Sequence, residues 1–112
     1  MKYKMIVLDL DGTLTNSKKE MTPRTRETLL RAERQGLRVV LASGRPTYGI
    51  TALAEELDLK RYGGYILAFN GGRITNCATG SVVFDQPLDP TVVEAAEKVS
   101  CFCNSAYTYA YL

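Results

Sequence analysis

Apolar positions along the chain follow two different periods. Three short, mainly apolar runs, Met5–Leu8, Leu37–Ala42 and Gly64–Phe69, are set between polar or glycine-rich stretches. The first predicts a strand covered on both faces, as in a parallel sheet, and the other two predict further strands. Between the second and third runs, Ile50, Leu53, Ala54 and Leu57 recur at helical spacing and predict one helix from Pro46 to Leu57 that packs on the sheet. An earlier helix opens at Thr22-Pro23, a side-chain cap followed by a proline suited to the first turn. It is expected to run to about Gln35, with Gly36 as a left-handed stop and a thin apolar face of Leu29, Leu30 and Ala32. Lys60 to Gly63 reads as a loop. Strand, helix and strand joined by short connections form right-handed parallel units, so the fold class is α/β.

The pattern changes after residue 72. Arg73–Asn76 and Ser81–Gln86, joined by a turn over Cys77–Gly80, predict an antiparallel hairpin that Pro87 ends. Asp89-Pro90 starts another helix, with Leu88 placed to contact Val93 and an apolar face of Val92, Ala96, Val99 and Cys103. Residues 106–112 alternate Tyr107, Tyr109 and Tyr111 with smaller residues, which suits a strand. The chain divides on this reading into residues 1–72 and 73–112.

Composition narrows the chemistry. With 112 residues, 46% of them hydrophobic and 23% charged, the chain has the make-up of one globular domain. A net charge of +2, spread over solvated helix faces, gives no field that argues for nucleic acid or a membrane surface. No long apolar span or secretory signal is legible, and a cytoplasmic location is expected by default. Three cysteines and no histidine exclude imidazole triads and HExxH zinc sites, and Cys77, Cys101 and Cys103 read as small buried hydrophobes. Acid–base work falls to carboxylates, Lys or Tyr.

Polar chemistry gathers where the strands end. Asp9 and Asp11 follow the first run; two residues apart on an extended chain, they point the same way and can share a site. Carboxylates that close repel unless a cation binds or one keeps its proton. The second run ends in Ser43-Gly44-Arg45-Pro46: a hydroxyl, a glycine that admits an anion, a guanidinium fork and a helix start. The third ends in Asn70-Gly71-Gly72. Each has an ordinary reading too: a type I′ turn at Asp11-Gly12, a loop-to-helix turn at Ser43, a tight turn at Asn70. Ligands of open α/β sheets bind outside the carboxyl ends of the strands, which is where all three clusters fall.

Asp9-Leu10-Asp11-Gly12-Thr13 resembles the first motif of the haloacid dehalogenase superfamily, and Ser43-Gly44-Arg45 resembles its second. Phe69-Asn70-Gly71-Gly72-Arg73-Ile74 is similar to the Asn-Gly-x-x-Ile segment that opens the type IIB cap of Cof-like sugar phosphatases. The resemblance implies a partial Rossmannoid core at 1–72 and the start of an α+β cap at 73–112. It implies a Mg²⁺-dependent phosphatase of small phosphorylated metabolites such as sugar phosphates. Asp9 would be the nucleophile and Asp11 the general acid/base; both would serve the metal. Thr13, Ser43 and Gly44 would cradle phosphate, with Arg45 and Asn70 near the substrate. Family members continue to a late Lys motif and a Gly-Asp-x-x-Asn-Asp motif. Lys98, Asp85, Asp89, Glu94 and Glu97 match neither, so these 112 residues are expected to be a poor catalyst, or a non-catalytic phosphate-binding or assembly module. A receiver-type phosphoacceptor is a third reading. The first strand, mid-sheet in the family, is expected here at an apolar edge that invites self-association.

Overall fold

The computed structural model describes residues 2–92, 94 and 95. Strands β1 (Met5–Asp9), β2 (Arg38–Ala42), β3 (Tyr65–Ala68), β4 (Arg73–Asn76) and β5 (Val82–Asp85) form one sheet in the order β1-β2-β3-β4-β5. The first three are parallel, with Val7 beside Val40 and Leu41 beside Ile66. β4 runs antiparallel to β3, and β5 antiparallel to β4, so the hairpin extends the same sheet.

Helix α1 (Pro23–Arg34) begins as its sequence dictates. The Thr22 side chain accepts the Thr25 N–H at 3.3 Å, Pro23 occupies the first turn, and Gly36 takes a φ of 96° just beyond the end. Its buried face is Leu29, Leu30 and Glu33, with Ala32 only half-buried. The single helix expected over 46–57 is instead a 3₁₀ turn at Thr47–Gly49 followed by α2 (Thr51–Glu56). The reason is local. The Gly49 carbonyl, which a continuous helix would give to the Leu53 N–H, accepts from Arg45 Nη1 at 3.1 Å, and Leu53 N–H turns to Ile50 at 3.1 Å. The expected apolar face survives, since Ile50, Leu53, Ala54 and Leu57 are all buried. The loop expected at 60–63 contains a one-turn helix, α3 (Leu59–Tyr62), pinned by buried Leu59 and stopped by Gly63 at a φ of 78°.

The main core cluster lies on one side of the sheet, and Val40, on the other face of β2, is buried as well. Val39, Leu41, Ile66 and Ala68 pack with Leu29, Leu53, Leu57 and Leu59, and Ile6 and Leu8 join them from β1. Because β1, β2 and β3 succeed one another in one direction, two right-handed crossovers place α1 and α2 on the same face. For β1 this corrects the expectation of a strand covered on both sides, whereas in β2 the successive residues Val39, Val40 and Leu41 are all buried. Met5 and Val7, on the other face of β1, are 49% and 56% exposed, and β1 is the sheet's edge among the described residues.

Asp89 caps the next turn as expected, its Oδ1 accepting the Thr91 N–H at 2.9 Å. Val93, Ala96, Val99, Cys101, Cys103 and the tyrosine-rich segment 106–112 lie outside the described residues.

Candidate functional site

The segment after β1 is built around two anchors. Leu10 and Leu14 are buried at 0% and 4% exposure, and they hold the chain between them against the core. The turn closes on itself: Thr13 N–H donates to Leu10 O at 3.1 Å, Leu14 N–H to Asp9 O at 3.1 Å, and Gly12 N–H to Thr15 O at 3.1 Å. The buried Thr15 hydroxyl adds a 3.0 Å bond to Leu10 O. With Leu10 turned inward, Asp9, Asp11 and Thr13 face solvent. Gly12 supplies the φ of 82° that this turn requires.

β2 and β3 are joined beyond their last paired residues. Ser43 N–H donates to Leu67 O at 2.9 Å, Phe69 N–H to Arg45 O at 3.0 Å, and Asn70 N–H to Ser43 O at 3.1 Å. These bonds carry the chain through Phe69 and Asn70, both with positive φ (53° and 55°), a conformation that asparagine tolerates better than phenylalanine. Consecutive residues held there by surrounding hydrogen bonds store strain of about 1–3 kcal/mol each, a feature that clusters at functional sites. The result is close contact: a Cβ built on Gly44 would lie 2.9 Å from Asn70 Oδ1. Only glycine lets the asparagine amide lie over this backbone.

Three donors meet at this point without a partner among the described residues. Ser43 is buried, and its Oγ accepts the Arg45 N–H at 3.0 Å, which leaves its own proton free. The Gly44 N–H and the Asn70 side-chain amide make no hydrogen bond. Such a concentration of free N–H and O–H groups at strand ends suits an anion.

Arg45 is committed elsewhere. Its Nε donates to Asp11 Oδ2 at 3.2 Å and its Nη2 to Asp11 Oδ1, a two-pronged pair, while Nη1 holds the Gly49 carbonyl. The hydrogen bond from Arg45, reinforced by its charge and more weakly by Lys19, holds the Asp11 carboxyl below the usual carboxylate range. Neither Asp11's pairing nor the role of Gly49 was legible in the sequence. The signal available was the charge complementarity of two residues at adjacent strand ends.

The structure thus links Asp11, Ser43, Gly44, Arg45 and Asn70 by direct contact. Asp9 lies opposite Ala42, one residue before Ser43. Thr13 is on the same loop, exposed, and its side chain makes no hydrogen bond to the others among the described residues. Among the described residues, no group of three His, Cys, Asp or Glu could hold a metal ion. What remains for Mg²⁺ is the Asp9 carboxylate and the Asp11 carbonyl, a small donor set that this ion accepts when water and a phosphate complete its shell.

Residues 6–108 match the model of the haloacid dehalogenase-like hydrolase family. YxeH of Bacillus subtilis is 40% identical over 86 residues, which cover 77% of this chain and 32% of YxeH. The 5-amino-6-(5-phospho-D-ribitylamino)uracil phosphatase YwtE of the same organism is 39% identical over 71 residues, covering 63% of this chain and 23% of its own length. A haloacid dehalogenase-like hydrolase from Bacteroides thetaiotaomicron, known by crystal structure, superposes with a TM-score of 0.84 at 52% identity, over 91% of this chain and 38% of that one. The chain spans about a third of the length of the relatives it matches. It belongs to the haloacid dehalogenase-like hydrolases.

Proposed function

We propose that the chain carries the phosphate-handling half of a Mg²⁺-dependent phosphatase for small phosphorylated metabolites such as sugar phosphates. The observation that carries this reading is the meeting of Asp11, Ser43, Gly44, Arg45 and Asn70 at the ends of three consecutive parallel strands, with Asp9 alongside. Ser43, Gly44 and Asn70 orient the phosphoryl oxygens, and the exposed Thr13 hydroxyl adds a donor from the first loop. An Asp9 oxygen attacks phosphorus as the bond to the leaving alcohol oxygen breaks, and Asp11 gives that oxygen a proton. Water then attacks the aspartyl-phosphate, Asp11 takes a proton back, and the Asp9–phosphorus bond breaks to release phosphate. Mg²⁺, held by the Asp9 carboxylate and the Asp11 carbonyl, would offset charge on the transferring group.

The Arg45–Asp11 pair favours a second reading for the 112 residues alone. A carboxyl held ionised is a poor proton donor, so phosphate binding without appreciable turnover is the alternative, in a module derived from a phosphatase. Hydrolysis of p-nitrophenyl phosphate and of sugar phosphates, with Mg²⁺ or with chelator, separates the two. Turnover that Asp9→Asn abolishes supports the enzyme; phosphate binding with no Asp9-dependent turnover supports the module. Absence of both binding and turnover would remove both readings.

A further inference from the structure

We infer that Asp11 is a built-in occupant of Arg45, and that an incoming phosphate must take the guanidinium from it. The inference rests on the phosphate reading of the strand ends and adds to it a latch. The Nε–Nη2 edge of Arg45 is the edge that matches two oxygens of a carboxylate or of a phosphate, and here both donors are spent on Asp11. The remainder of Arg45 is fixed. Nη1 is held by Gly49 O at 3.1 Å, the backbone N–H by Ser43 Oγ at 3.0 Å, and the backbone carbonyl by Phe69 N–H at 3.0 Å. The side chain also packs closely on Gly49, where a Cβ would lie 3.4 Å from Arg45 Cβ. Arg45 is therefore poised at the seat and cannot drift away. Its partner is the looser one: the Asp11 side chain is 52% exposed against 26% for Arg45.

The seat's other donors, on Ser43, Gly44 and Asn70, have no such occupant among the described residues. A phosphate that reaches them presents two oxygens and up to two negative charges to the same guanidinium edge. It gains the remaining free donors at once, which Asp11 does not. Displacement releases the Asp11 carboxylate as the anion arrives, so the geometry makes Arg45 a positioning residue for Asp11 as well as an anion contact.

The test is a double-mutant cycle on inorganic phosphate binding, measured by calorimetry in chelator at one pH. Arg45→Ala is expected to weaken binding by roughly tenfold or more, as the loss of a charged two-pronged contact. Asp11→Asn is expected to tighten it by roughly two- to fivefold, the scale of a partly exposed ion pair. In the Arg45→Ala background, Asp11→Asn should change nothing, because the competition is gone. Equal tightening with and without Arg45 would mean general charge repulsion and would overturn the latch, as would no tightening in either. Wild type and all variants failing to bind millimolar phosphate would instead reject the phosphate reading itself, and the latch with it. Arg45→Lys, which keeps charge without the fork, guards against misfolding of the alanine variant. It should retain binding and lose most of the coupling to Asp11.

Discussion

Glu33 offers a quantitative test of the packing. It lies in the last turn of α1, is 3% exposed, and neither carboxylate oxygen has a hydrogen-bond partner among the described residues. Burial first, and the negative charge of Asp58 second, raise its pKa from 4.5 to about 7. The partial negative charge at a helix C-terminus acts in the same direction. At about 1.4 kcal/mol per pH unit, holding the ionised group in the fold costs at most about 3.5 kcal/mol. Water that reaches a site near the protein surface reduces this, and about 1–2 kcal/mol is a realistic remainder. The sign follows from the raised value. The stabilising contribution is complete below pH 4.5 and is lost as pH rises through about 7. Glu33→Met, which fills the site with an apolar chain, should therefore raise the melting midpoint at pH 8 by roughly 4–10 °C, and by much less at pH 4. Glu33→Gln, which removes the charge alone, should flatten the pH dependence. Thermal unfolding followed by circular dichroism from pH 4 to 8 is the assay. Parallel curves for wild type and Glu33→Met across that range would refute the assignment of a strained, buried carboxyl.

Two glycines give further checks. Gly64→Ala would place a Cβ 2.5 Å from the Val39 carbonyl and 3.1 Å from Leu59, so the start of β3 must shift. A loss of about 1–3 kcal/mol is expected in urea unfolding. Gly44→Ala would push only on the Asn70 amide. It should leave the unfolding midpoint nearly unchanged while weakening inorganic phosphate binding by roughly tenfold, about the effect of one misplaced hydrogen-bonding group. Calorimetry against unfolding separates those outcomes.

Where local rules dominate, the sequence was legible. Thr22-Pro23 and Gly36 bound α1 because capping is decided by neighbouring residues, and the apolar runs locate β1, β2 and β3 within one or two positions. The division at Gly49 was not legible, because a side chain four residues earlier takes the helix's carbonyl. The coverage of β1 was misjudged because an apolar run does not reveal on which side its crossovers pass; Met5 and Val7 are left exposed while Val40 on β2 is buried. At the site, motif spacing identified the strand ends, but the Arg45–Asp11 pair spans 34 residues and depends on the register of β1 with β2. Glu33 escaped notice because helical charge at that spacing ordinarily faces water.

The central claim is that three strand ends make one anion seat. An amide NMR titration with inorganic phosphate in the presence of Mg²⁺ tests it most directly. The amides of Thr13, Gly44, Arg45 and Asn70 should shift together and fit a single Kd, with those of β5 unmoved. Shifts that require separate constants for the β1, β2 and β3 ends, or none at millimolar phosphate, would contradict it.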